Sequence, residues 1–150
     1  MSGIFHAFDD GPIRRHLASL ALLHAGRFER ARRQIGEYLL GEVQDHLDGQ
    51  TLVGGAAMPQ SKAAIARQGK TLINSHRLYD SYVYQLTDDG LEVGSGLVYA
   101  AIHHFGGETG RAGHRFTLPA RPVLGATAQD ERKVGDFLVQ AIQGTQGGTA

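Results

Sequence analysis

Cysteine and tryptophan are absent, proline is scarce, and the charges cancel. Without cysteine there is no disulfide, no thiolate metal site and no cysteine nucleophile. The balance of 15 Lys and Arg against 15 Asp and Glu leaves no net field to draw nucleic acid or a membrane surface. The apolar run at 17–23 falls far short of the roughly 20 residues that a membrane helix needs. Asp9 and Asp10 precede that run, so no secretory signal is expected. No G-x-S-x-G elbow is present. The candidate glycine loop, Leu52-Val53-Gly54-Gly55-Ala56, lacks the lysine and hydroxyl of a phosphate-binding loop.

What is present suits one globular domain. A chain of 150 residues can bury about 68–70% of its unfolded surface. An aperiodic leader to residue 12 and a short helix at 13–24 form an N-terminal segment, 1–24. The strongest helix is expected at 25–47, where Phe28, Ala31, Ile35, Leu39, Val43 and Leu47 recur at spacings of three and four. Gly36 and Gly41 interrupt it at a cost of about 1 kcal/mol each and would permit close packing. A second helix is expected at 60–69, capped by Ser61, and a single turn at 76–80.

A hairpin follows. Tyr82, Tyr84 and Leu86 alternate on one face, Thr87-Asp88-Asp89-Gly90 turns, and Leu91 and Val93 return. Residues 98–105 read as a short helix with Val98, Ala101, Ile102 and Phe105 on its apolar face. A polar, flexible loop at 108–114 leads to a strand at 115–118. A last helix spans 130–143, and the tail 144–150 is low-complexity and expected to be disordered. This order predicts an α+β domain at 25–143: a small antiparallel sheet, the hairpin plus a further strand, packed on a long helix with shorter helices around it.

Several constellations invite chemistry. His103 and His104 are adjacent, so on a helix they diverge by about 100° and do not readily share an ion. His103 with His114 and Glu108 is the one set that would make a metal-dependent hydrolase. Ser75, His76 and Asp80 resemble a nucleophile–base–acid set, but Ser75 beside His76 points elsewhere on a helix. Arg27, Arg30, Arg32 and Arg33 cluster, diluted by Glu29, Glu37 and Glu42. A solvated or ion-paired helix face explains them better than nucleic-acid binding. Arg121, held in Pro119-Ala120-Arg121-Pro122, is a pre-ordered fork for a carboxylate, either within the subunit or across an interface.

Three segments together resemble a known family. Leu72-Ile73-Asn74-Ser75-His76-Arg77-Leu78-Tyr79-Asp80-Ser81 is similar to a segment that runs apolar, apolar, x, Thr or Ser, Gly, Arg, Leu, x, x, Ser. Val98-Tyr99-Ala100-Ala101-Ile102-His103-His104-Phe105-Gly106-Gly107 resembles its YAAIHQFGG motif, and Leu118-Pro119-Ala120-Arg121-Pro122-Val123-Leu124-Gly125 its IPARPFLG motif. These belong to the phage virion morphogenesis family of Mu-like and other tailed phages. The resemblance spans about 28–142. His76 stands where the pattern has glycine, His104 where it has glutamine, and Val123 where it has phenylalanine.

The resemblance implies an α+β structural protein of the virion tail or neck, made in the host cytoplasm, with no enzymatic activity and no cofactor. It implies tail completion or head–tail joining through self-assembly as a ring, a hexamer by tail symmetry. The implied partners are copies of itself, tail tube or terminator proteins and head-connector proteins, with no membrane and no sequence-specific nucleic acid. Tyr82, Tyr84, Tyr99, His104, Phe105 and Arg121 are then the expected interface side chains. Glu108, Arg111 and His114 mark the expected partner-docking loop.

Overall fold

A helix of 39 residues, α1 (Gly11–Gly49), carries the rest of the chain. The computed structural model describes residues 11–88 and 90–144, with side chains described from Phe28 onward. The leader to residue 10 and the tail from residue 145 lie outside the described residues. At 1.5 Å per residue α1 is about 58 Å long. It runs unbroken through the boundary expected at 24/25, so the two helices read from the sequence are one.

The stripe that the spacing picks out is the stripe that is buried: Ala31, Ile35, Val43 and Leu47 are all inaccessible. Gly36 does what a missing side chain allows. A Cβ there would sit 2.4 Å from the Tyr84 ring, so the glycine admits the aromatic of the first hairpin. Gly41 has nothing within 4 Å of the same position and serves no such purpose.

Gln50, at φ 54°, ends α1. Its side-chain amide donates to Leu47 O (2.6 Å) and Thr71 O (3.1 Å), and its amide oxygen accepts from Thr71 N (2.7 Å). Thr71 is itself buried and accepts from Ser61 N through its hydroxyl. The segment that carries α2 (Lys62–Ala66) is thereby tied to the end of α1. As expected, Ser61 caps α2 by accepting from Ala64 N.

The core is built from α1, the 58 loop, α3 (Arg77–Ser81), β1 (Tyr82–Leu86), α4 (Ala100–Phe105) and the 123 turn. Val43, Leu47, Met58, Leu78, Tyr82, Ala100 and Val123 meet there. β1 pairs antiparallel with β2 (Leu91–Ser95), Tyr82 opposite Ser95 and Leu86 opposite Leu91. The expected alternation holds, with Tyr82 buried and Val83 exposed.

Two expectations change. The strand expected at 115–118 exists as β4 (His114–Leu118), but it does not join the first hairpin. It pairs with β3 (Gly107–Arg111), so the described residues hold two separate two-stranded sheets within the α+β class. The flexible loop expected at Glu108, Arg111 and His114 is therefore an ordered hairpin. The many polar residues hid the pairing; Gly113, at φ 81°, supplies the turn, and Gly110, at φ 108°, lets β3 pass close to the His114 carbonyl.

The second change concerns α4. Val98 is 96% and Phe105 77% exposed, whereas Ala100 is buried. Leu97 docks on the core and sets the helix rotation, so 97, 100 and 103 turn inward. Of the apolar face read at Val98, Ala101, Ile102 and Phe105, Ile102 stays half-buried and the other three turn out.

Finally, α5 (Ala128–Gln143) lies on α1. It starts two residues earlier than the expected 130, because Thr127 and Asp130 form a capping box and satisfy each other's backbone amides. Asp130 also accepts from Tyr38 Oη at 2.7 Å, and the Tyr38 and Phe137 rings lie 6.0 Å apart. Burial works to raise the Asp130 carboxyl, but the hydrogen bonds from Tyr38 and Thr127 outweigh it and hold the group below its ordinary value.

Candidate assembly site

Three segments separated in sequence come together around Arg121. The helix α4 ends at Gly106, at φ 72°, where a Cβ would lie 2.7 Å from Ala120 N and 2.8 Å from Leu118 O. Only glycine lets α4 approach the 118–122 turn this closely. Arg121 N then donates to His103 O at 2.9 Å, and Val53 N donates to Pro122 O at 2.9 Å. The Arg121 side chain is 3% exposed, and its Nε donates to Pro59 O at 2.7 Å. Of the two roles open to Arg121, its first is internal: it ties the 59 loop to the turn. Burial pushes its guanidinium below the ordinary arginine value.

His103 faces the same place. Its Nδ1 is buried and has no hydrogen-bond partner among the described residues. Burial first, and the Arg121 charge second, push its pKa down, which favours the neutral ring. The Tyr99 ring stands edge-on to it at 6.1 Å. A cavity of about 330 Å³ opens here, lined by the 72–78 segment, Tyr99, His103, Leu118 and Arg121. The three segments that carry the resemblance therefore share one cavity.

The expected interface residues fall into three groups. Tyr99 and Phe105 are exposed at the surface. His104 and Tyr84 are half-buried, His104 with its ring 4.7 Å from Phe105 and Tyr84 over Gly36. Tyr82 is buried in the core beside Val43 and Leu47, so it offers no surface to a neighbour. On β1 its position points toward α1, where it packs the core. Glu108, Arg111 and His114 are all exposed on the β3–β4 hairpin, with Arg115 Nη1 3.8 Å from Glu108 Oε2. An exposed pair of this kind contributes at most about 1 kcal/mol.

The catalytic alternatives lose their geometry. No group of three His, Asp or Glu side chains among the described residues could hold a metal, so His103, His114 and Glu108 do not form a ligand set. The half-buried His103 and the exposed His114 lie on different elements, α4 and β4. His76 sits at φ 61° before α3 with its ring 5.6 Å from Tyr79, and Ser75 is exposed beside it. The basic face of α1 is partly spent within the subunit. Arg32 Nη1 donates to Thr87 O at 2.8 Å, and Arg33 Nη2 pairs with Glu29 Oε1 at 2.7 Å.

Sequence reasoning missed the Gln50–Thr71 latch and the Tyr38–Asp130 bond. Nothing local marks either, since each joins residues far apart in the chain. Among the described residues no helix is long and apolar enough to cross a membrane.

Comparison with known proteins agrees with the resemblance. The Mu-like prophage FluMu G protein 2 of Haemophilus influenzae is 40% identical over 82 residues. That match covers 55% of this chain and 57% of the relative, so a little over half of the relative's length is spanned. No solved structure matches the chain significantly. The phage virion morphogenesis family matches residues 8–143, nearly the whole chain, and the protein belongs to that family.

Proposed function

We propose that this protein completes the tail end or neck of a phage virion, assembling there as a ring that readies the tail for the head. The family supplies the coarser part, a role in virion morphogenesis of a phage or prophage. The carrying observation is the outward face of α4. Phe105 at 77% exposure ends α4, and Val98 at 96% lies in the turn that leads into it, while the other face of the helix is locked into the core. Tyr99 beside Val98 is exposed as well, and β4 carries a further exposed aromatic, Phe116 at 56%. Large apolar side chains displayed on a rigid element suit a protein–protein contact.

A ring needs two different patches whose rotation closes, and a hexamer follows if it matches tail symmetry. The α4 face is one patch, and tail tube, terminator or head-connector proteins are the further partners. The test is Phe105→Asp, read by light scattering after size-exclusion chromatography and by head–tail joining. The variant is expected to melt with the parent, because Phe105 touches little of its own core, but to lose the ring and joining. A Phe105→Asp protein that assembles and joins like the parent would exclude this face.

A further inference from the structure

We propose that the Arg121 cavity is a carboxylate-binding site that receives an acidic side chain from a neighbouring protein chain. The assembly reading enters only in naming the neighbour; the site itself stands on charge and geometry. The cavity is lined by Arg67, Arg77, Arg121, His76 and His103, and by no Asp or Glu. Three of the chain's 15 Lys and Arg residues thus share one concave surface that carries no acid.

The charges are not answered from within. Arg121 is buried, and only its Nε has an acceptor; its two terminal amino groups have none among the described residues. Those amino groups are not sealed from solvent, so they stand ready to donate to an acceptor that enters the cavity. Arg77 is exposed, and its side chain makes no hydrogen bond or ion pair with the described residues. His103 Nδ1 is buried without a partner. Arg67 is the exception, since its guanidinium donates to Lys70 O and Ile73 O and so holds the rim of the cavity in place.

The geometry favours a carboxylate on a side chain over a phosphate backbone. A planar fork matches a carboxylate through two parallel hydrogen bonds. About 330 Å³ admits an Asp or Glu side chain with room for water beside it. The walls between the charges are apolar, Ala63, Leu72, Leu78 and Leu118, which suits the methylene stem of such a residue. The same chemistry would also accept a free carboxylic acid.

The experiment is an NMR titration of the full chain with sodium acetate at constant ionic strength, read at the His103 ring and the Arg121 Nε–H. Saturable shifts at both are expected. Arg77→Gln should weaken the apparent affinity about threefold without moving Tm. The same signals are then followed as the protein is concentrated without acetate. Shifts that grow with concentration and are reversed by acetate assign the carboxylate to a second copy of this chain. Shifts that appear on adding a virion partner's acidic segment assign it to that partner, and shifts with acetate alone assign it to a free acid, which overturns the docking role.

No saturable shift with acetate overturns the site. An unchanged affinity in Arg77→Gln overturns its placement, and tighter binding of inorganic phosphate than of acetate overturns the choice of anion. A protein that assembles normally yet binds no acetate sinks the cavity and leaves the ring standing. One that binds acetate but never assembles does the reverse.

Discussion

The hairpins β1–β2 and β3–β4 are built alike, with strands of five residues each, yet one is packed and the other is bare. Tyr82 of the first is buried in the core, Tyr84 lies over Gly36, and Arg32 clamps the turn through Thr87 O. No residue of the second is buried, and only Thr109 and Leu118 are half-buried. An isolated two-stranded hairpin is marginal in water. The contrast teaches that burial against α1, not strand pairing, is what ties a hairpin to this fold. The second hairpin adds little to the subunit's own core and is free to serve a contact.

Substitutions sharpen that contrast. Tyr82→Ala should lower the unfolding free energy by about 3 kcal/mol, measured by urea denaturation, because it empties a buried aromatic site. Gly36→Ala should cost about 1–3 kcal/mol, because the new methyl meets the Tyr84 ring and must push the first hairpin off α1. Phe116→Ala, on the bare hairpin, should change stability by no more than about 0.5 kcal/mol. If Phe116→Ala destabilised the protein as much as Tyr82→Ala, the two hairpins would be equivalent and the contrast would collapse.

The parts of the fold legible in the sequence are those with a local signal. The α1 stripe from Phe28 to Leu47 repeats at helical spacing, and the β1 alternation has a clear period and turn. Gly36 was legible as a packing glycine, while Gly41, identical in sequence terms, was not distinguishable from it. The β3–β4 pairing was hidden because exposed strands need no apolar alternation, so Glu108, Arg111 and His114 looked like loop. The rotation of α4 was misread because Leu97, outside the helix, decides it. The cavity was half legible: Arg121 between two prolines announced a carboxylate fork, but its nearness to His103 depends on Gly106 and on contacts no local pattern encodes.

His76 illustrates how the resemblance and the geometry inform each other. The family pattern has glycine there, and His76 holds a left-handed φ of 61°. A non-glycine residue in that conformation costs roughly 1–2 kcal/mol. The departure from the pattern is thus a strained position on the rim of the cavity, kept where glycine would relax it.

Both sheets have two strands, so each described strand has one side with unpaired amides and carbonyls. Such open edges invite copies to stack without order, the first step of aggregation. The strands are short, and charges stand along them: Glu92 on β2, Glu108 and Arg111 on β3, Arg115 on β4. Short length and charge are the devices that keep an edge from zipping onto a stranger. Here the safeguard against unordered stacking is written into the strands themselves.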